Sequence, residues 1–264
     1  MLTRSGAGDC GFLLTPAPEQ DGSVYQPIQN ACENGLLRAL AEGDFGLLQP
    51  HMQSVLLSVG NVLIAAGTPI TQVYFVEQGI VSCIVQASDD ERIEIGLVGR
   101  EGLVGTPILL DADRASNEAR VQAAGWAWSL RADTLRDAMR QSARLQSTLL
   151  RYVQTFSTQV ACTALANGRY KLDQRLARWL LMCHDRVMGD ELPTTHRFLS
   201  VMLGVNRPGL TSAIANLERA GIIASKRGSI TIRDHGALLA MAGGSYGPPE
   251  AEYQSLITGL ASHE

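Results

Sequence analysis

The sequence lacks any C-x-x-C pair. Its five cysteines, Cys10, Cys32, Cys83, Cys162 and Cys183, are odd in number and dispersed, which speaks against a disulfide framework and suits a reducing compartment. Long apolar runs are also missing. The longest, at 55–66 and 238–242, fall short of the roughly 18 residues that suggest a membrane span. Residues 1–22 hold no apolar stretch beyond Phe12-Leu13-Leu14 that would make a secretory signal. A Walker A segment and an H-E-x-x-H pair are absent, and no nucleophile elbow is read. His184-Asp185 hints at a metal phosphohydrolase, but further His and Asp ligands at suitable places are wanting, so the pair reads as structural and no metal site is expected. What is there is 45% hydrophobic residues, 18% charged residues and a mean hydropathy of +0.04. These describe a soluble, cytoplasmic protein with enough apolar content for one or two domains.

The net charge of −4 hides a division. Residues 1–167 carry 11 Arg against 17 Asp/Glu, and residues 237–264 carry three Glu and no Lys or Arg. Between them, 168–236 holds 11 Lys/Arg against 6 Asp/Glu. A positive segment inside an acidic chain is what a polyanion-binding module produces, although a solvated Arg-rich surface has the same signature.

The pattern divides the chain into a flexible leader (1–27), a β unit (28–131), a helical stretch (132–167), a basic helical unit (168–242) and an acidic tail (243–264). In the β unit, short β-rich runs at 55–59, 62–65, 72–77, 80–86, 92–98, 120–123 and 126–130 are punctuated by glycine, the spacing of a small antiparallel barrel or sandwich. The stretch 132–140 reads as a short helix. From 142 to 167 there is no Gly or Pro, and Leu149, Val153, Phe156, Val160, Thr163 and Asn167 form a 4-3-4-3-4 seam that two copies of one helix can bury. A second stripe, Leu145, Leu149, Tyr152 and Phe156, can pack on the β unit. Gly168 reads as the break, and 243–249 as a linker to the tail.

The most specific signal lies between His196 and Gly221. Thr194 or Thr195 can cap a helix to Leu203, Gly204 supplies a turn, and Asn206 caps a second helix ended by Gly221. Pro208 falls in the first turn, where its missing N–H costs nothing. Leu199, Leu203, Val205, Leu210, Ala213, Ile214 and Leu217 give the pair a common core. Two β runs around Lys226-Arg227-Gly228-Ser229 add a wing. With the apolar residues inward, Pro208, Ser212 and Arg219 face out, flanked by Arg207 and Thr211, as base-reading groups in a major groove. His196, Arg197, Lys226 and Arg227 suit phosphate.

A β unit, a long helix and a winged helix-turn-helix in that order resemble the Crp/Fnr family of bacterial transcription regulators. The likeness is carried by Val73-Tyr74-Phe75-Val76-Glu77-Gln78-Gly79, by 102–105 and by Leu203-Gly204-Val205-Asn206-Arg207, and it spans roughly 45–240. It implies an α+β protein: an N-terminal antiparallel β-roll of the cupin-like cyclic-nucleotide-binding type, a long dimerisation helix and a C-terminal winged helix-turn-helix. It also implies a homodimer on an inverted-repeat double-stranded operator, contact with RNA polymerase and no membrane partner.

Two departures bear on the effector. The Gly-Glu and Arg-Ser pairs with which family members hold cyclic AMP correspond here to Gly105-Thr106 and Asn117-Glu118, so a carboxylate stands where the phosphate would sit. The helix positions that touch the base correspond to Val160-Ala161, which offer no side-chain hydrogen bond. Arg114 and Arg120 are the nearby cations for an altered ligand. Cyclic AMP is therefore not expected, the iron–sulfur cysteine pattern is absent, and His51 and Cys83 read as structural rather than as haem ligands. Pro208 and Ser212 replace a Glu and an Arg that read the usual operator, so this operator should differ. The rival readings are a small-molecule sensor without DNA binding, and a cyclic-nucleotide-dependent regulator with an altered pocket.

Overall fold

A computed structural model describes residues 26–88 and 91–259. The leader read at 1–27, apart from its last two residues, and Cys10 lie outside the described residues.

The chain enters through α1 (Gly35–Arg38) and α2 (Glu42–Leu48) and builds an antiparallel sheet from β1 (Gln53–Leu57), β2 (Val62–Ile64), β3 (Gln72–Ser88), β4 (Glu91–Val98), β5 (Leu103–Val104) and β6 (Glu118–Arg131), with α3 (Thr106–Leu109) between the last two. The sheet order is β1-β6-β3-β4, with β2 on β6 and β5 on β3. The separate runs expected at 72–77 and 80–86, and at 120–123 and 126–130, are each one continuous strand. The register of β3 on β6 shifts between Val76 and Val81, so the glycines there mark irregularities in two paired strands, not loops. The family-like stretch ending at Gly79 has a visible task. Glu77 is buried, and its Oε2 accepts from the backbone N–H groups of Glu33 at 2.5 Å and Asn34 at 3.2 Å. Asn34 in turn donates to the carbonyls of Val76 and Gly102 and caps α1. These bonds pin the entry segment over the sheet.

After β6 come α4 (Ala132–Gln141) and α5 (Ala143–Arg169). Ser142 caps α5 and donates to Asp44, which also pairs with Arg144 at 2.9 Å. Gly168 does not end the helix. Alone on an exposed helix end, a glycine costs only about 1 kcal/mol, and α5 runs two residues further than expected. Leu145, Leu149 and Tyr152 are fully buried against the β unit, with Val153 and Phe156 packed beside them. The second stripe is therefore the intrachain one; it takes Leu149 out of the proposed dimer seam and leaves Val153 and Phe156 half-buried. Thr163, another seam position, accepts from Arg178 at 3.1 Å.

The C-terminal unit comprises α6 (Leu172–His184), β7 (Glu191–Pro193), α7 (His196–Met202), α8 (Arg207–Arg219), β8 (Ile223–Lys226), β9 (Ser229–Ile232) and α9 (His235–Ala242), the strands ordered β7-β9-β8. Its core of Leu176, Leu180, Leu199, Leu210, Ile214, Leu217 and Ile230 is continuous with Ile80, Leu97 and Ala123 of the β unit. Polar contacts cross the same boundary: Trp179 Nε1 to Glu94 at 2.9 Å, Arg186 to Glu101 at 2.7 Å, and Arg100 to the Asp185 carbonyl at 3.1 Å. The stretch read as a linker and the described part of the tail pack against the rest of the chain. A last helix, α10 (Pro248–Leu256), lies against α5, and Ile257 is fully buried in the β-unit core. Among the described residues no helix is long and apolar enough to cross a membrane.

Candidate nucleic-acid interface

Local chemistry sets the geometry of α7 and α8. Thr195 Oγ1 accepts from the Phe198 N–H and starts α7. Gly204, at φ +60°, makes the turn that a side chain would strain. The Asn206 side chain accepts from the Gly209 N–H at 2.8 Å and starts α8, with Pro208 in its first turn. Leu210, Ala213, Ile214 and Leu217 are at most 2% exposed, which turns Arg207, Pro208, Thr211 and Ser212 to solvent.

The structure brings some of the expected contact residues together and holds others back. Asn206, Arg207, Pro208, Thr211 and Ser212 share the exposed N-terminal end of α8. The Thr211 and Ser212 hydroxyls donate to the carbonyls of Arg207 and Pro208, leaving their lone pairs outward. The guanidinium groups of Arg197, Arg207 and Arg227 make no bond to a described residue. Arg219 is different. It sits at the far end of α8, about 18 Å along the axis from Arg207, and donates to Asn216 at 2.5 Å, so it does not join the groove-facing group. Lys226 is tied to Glu191 at 2.8 Å, and this partner holds the Glu191 carboxyl below its ordinary pKa. His196 Nε2 lies 3.3 Å from Ser225 Oγ on the wing. Glu191 was not read from the sequence because β7 looks like the end of a loop. Glu218 was also missed; its carboxylate accepts from the Ser225 N–H at 2.7 Å and fixes the wing to α8.

The expected effector residues are spread over three elements. Gly105 precedes α3 and Thr106 opens it; Asn117 and Glu118 stand at the start of β6; Val160 and Ala161 lie on α5, Ala161 exposed. Glu118 is not the unopposed carboxylate expected. Arg120 meets it at 2.6 Å and Arg92 at 3.6 Å. Arg114 is spent on the Gly67 carbonyl at 2.8 Å. Cys83 is buried beside Glu94, and burial pushes its thiol up to about 12. His51 is exposed at the end of a 3-10 turn.

Two enzymatic hints resolve structurally. His184 Nε2 meets Asp190 at 2.9 Å, and among the described residues no His/Cys/Asp/Glu group could hold a metal ion. Gly243-Gly244-Ser245-Tyr246-Gly247 spells G-x-S-x-G, a match the sequence reading overlooked. Its Ser245 is 3% exposed, follows a helix rather than a strand, and donates to the Ala242 carbonyl at 2.6 Å. A nucleophile elbow needs an exposed hydroxyl on a strand-to-helix turn.

An antiparallel β unit joined by a long helix to a winged helix-turn-helix defines a sensor-type domain coupled to a DNA-binding domain. The cyclic nucleotide-binding domain family matches residues 55–142, and the Crp-like helix-turn-helix domain matches 174–241. With both on one polypeptide in this order, the chain belongs to the Crp/Fnr family of transcriptional regulators. Similar solved structures include FixK2 from Bradyrhizobium japonicum (TM-score 0.62, 18% identity, covering 71% of this chain and 95% of that one). A CRP-family transcriptional regulator from Thermus thermophilus has a TM-score of 0.60 at 19% identity, covering 72% and 96%. The c-di-GMP-responsive regulator CLP of Xanthomonas campestris has 0.59 at 16% identity, covering 73% and 99%. At these identities the likeness shows the fold. No curated protein sequence matches the chain.

Proposed function

We propose that the chain is a homodimeric, sequence-specific regulator, not an enzyme, that binds an inverted-repeat operator without needing cyclic AMP. RNA polymerase is the further partner this reading implies. The observation that carries it is the end of α8: Arg207, Pro208, Thr211 and Ser212 exposed together on a helix start, with Arg207 unpaired and able to give two hydrogen bonds to guanine. Support for the cyclic-AMP part is that the arginines around Asn117-Glu118 are already engaged by Glu118 and by the Gly67 carbonyl.

The deciding experiment is selection of bound sequences from random duplex DNA, with and without cyclic AMP. An inverted repeat enriched without ligand is expected. Enrichment only with cyclic AMP would restore the altered-pocket reading, and none in either arm would favour a sensor that does not bind DNA. On the selected operator, Arg207→Ala should weaken binding by about 1–3 kcal/mol. An equal loss on all sequences would make Arg207 a phosphate contact.

The exposed stripe of α5 supports a particular dimer face. One residue on from the expected seam, Leu150, Gln154, Ser157, Ala161, Ala164 and Gly168 repeat the same 4-3-4-3-4 spacing and are all exposed. Small residues at four of the six allow two helices to approach closely. Ala161→Arg with Ala164→Arg should shift the protein to monomer in sedimentation. An unchanged dimer would place the interface elsewhere.

A further inference from the structure

The wing pairs β8 with β9 and β9 with β7, and Lys226-Arg227-Gly228-Ser229 form its tip. By sequence that tip is cationic. In the structure its two basic side chains stand differently. Arg227 is exposed, and its guanidinium makes no bond to a described residue. Lys226 Nζ lies 2.8 Å from a carboxylate oxygen of Glu191, the two side chains being 65% and 45% exposed.

That carboxylate is carried on a fixed strand. Glu191 stands opposite Thr231 of β9, and Leu192 beside it is buried. The Ile232 N–H donates to the Asp190 carbonyl at 2.9 Å, and the Thr194 N–H donates to the Gly228 carbonyl at 3.0 Å. Backbone bonds therefore hold β7 on both sides of Glu191, the second of them directly to the wing turn. The register gives the pair its common face. Lys226 is opposite Ser229 and Ser229 is opposite Pro193, and residues 191 and 193 share a side of their strand. Lys226 also holds the Glu191 carboxyl below its ordinary pKa, so the group is ionised at neutral pH. A second carboxylate, Glu218, accepts from the Ser225 N–H at 2.7 Å, one residue before Lys226. The wing and its supports thus set two carboxylates, Glu191 and Glu218, against the two cations of the tip.

A phosphate that approaches Lys226 meets Glu191 as well, far inside the Debye length of about 8–10 Å over which like charges repel. Affinity for a polyanion comes from counterions released as free cations neutralise phosphates, and a cation that brings its own carboxylate releases none.

We propose that Glu191 silences Lys226 as a phosphate contact and so sets the sequence-independent grip of the wing on duplex DNA, leaving Arg227 as the wing's working cation. This role rests on the DNA-binding reading and deepens it. Glu191 is a positioning residue: it acts through Lys226 and touches no nucleotide itself.

Binding of the full chain to a fluorescent random-sequence duplex, read by anisotropy between about 50 and 200 mM salt, tests this. Glu191→Gln keeps the size of the side chain and removes its charge. It should tighten binding about fivefold near 50 mM salt and steepen the fall of log K with log salt by about 0.9 for each wing on the DNA. Lys226→Ala added to Glu191→Gln should cancel that gain, whereas in the parent it should cost no more than about twofold. Arg227→Ala should weaken the parent and make its slope shallower by about 0.9 per wing. A merely structural effect of Glu191→Gln would lower the urea midpoint and leave the salt slope alone. The proposal is overturned if Glu191→Gln does not steepen the slope. It is also overturned if Lys226→Ala in the parent flattens the slope by about 0.9 per wing, because the pair would then open on DNA. A parent that binds neither this duplex nor any selected sequence would overturn the DNA-binding reading and the role of Glu191 together; an unchanged slope in a parent that does bind removes only the latter.

Discussion

Gly125→Ala is expected to destabilise the protein by about 3 kcal/mol or more, or to prevent folding altogether. A Cβ on residue 125 would stand 2.0 Å from the Gln78 carbonyl oxygen, 2.3 Å from its carbon and 2.6 Å from the Gly79 nitrogen. All three are backbone atoms of β3, the strand that pairs with β6 along most of its length. No rotamer relieves the overlap. The two longest strands would have to separate where their register shifts, next to Phe75, Val76 and Ala127, which are fully buried. Gly43→Ala is the control. It lies in α2 with nothing within 4 Å of the added carbon, and it should be neutral or stabilising by up to about 1 kcal/mol. Urea midpoints for the two variants decide the matter. A Gly125→Ala protein within about 1 kcal/mol of the parent would mean the strands shift more easily than their pairing implies.

The same pair of strands shows where sequence reading stops. Glycine among β-formers reads as punctuation between short strands, yet Gly79 and Gly125 sit within long ones. They are needed there because two backbones approach closely, a long-range fact with no local trace. The helix-turn-helix is legible for the opposite reason. Thr195, Gly204, Asn206 and the spacing of Leu210, Ala213, Ile214 and Leu217 act within a few residues of themselves, and the structure keeps each in the expected part. The seam on α5 falls between these cases. Its period is readable, but which of two adjacent stripes faces the same chain depends on where the β unit docks. Leu149 at 0% exposure against Leu150 at 38% is the outcome of that docking.

Among the site residues, exposure is legible but engagement is not. A charge pattern shows that His196, Arg219 and Lys226 are on the surface. It does not show that Ser225, Asn216 and Glu191 hold them. The tail is the extreme case. Its acidic, Gly/Pro-flanked composition reads only as a linker and an acidic tail, while Tyr253, Leu256 and Ile257 dock it on α5 and the β unit. Three apolar residues in and just after one short helix become informative only when the surface that receives them is known.

Stability should fall as pH rises from about 5 to 8, and Glu94→Gln should remove much of that dependence. Glu94 is 5% exposed between the β unit and α6, with one oxygen accepting from Trp179 and the other unpartnered. Burial raises its pKa to about 7, outweighing the Trp179 hydrogen bond and the charges of Arg178 and Arg186. The nearby thiols Cys83 and Cys183, themselves raised by burial and by Glu94, stay neutral over this range. A carboxyl whose folded pKa lies above its unfolded one binds a proton more tightly when folded. Its contribution is complete below the ordinary carboxyl pKa and is lost as pH rises through about 7. The loss amounts to about 3 kcal/mol by pH 8. Glutamine keeps an acceptor for Trp179 and carries no charge, so the variant should match the parent near pH 5 and exceed it near pH 8. Urea unfolding across that range reads both curves. If the parent instead gained stability with pH relative to the variant, the ionised carboxylate would be the form favoured between Arg178 and Arg186, and the contact joining the β unit to the DNA-binding unit would be an ion pair rather than a buried neutral acid.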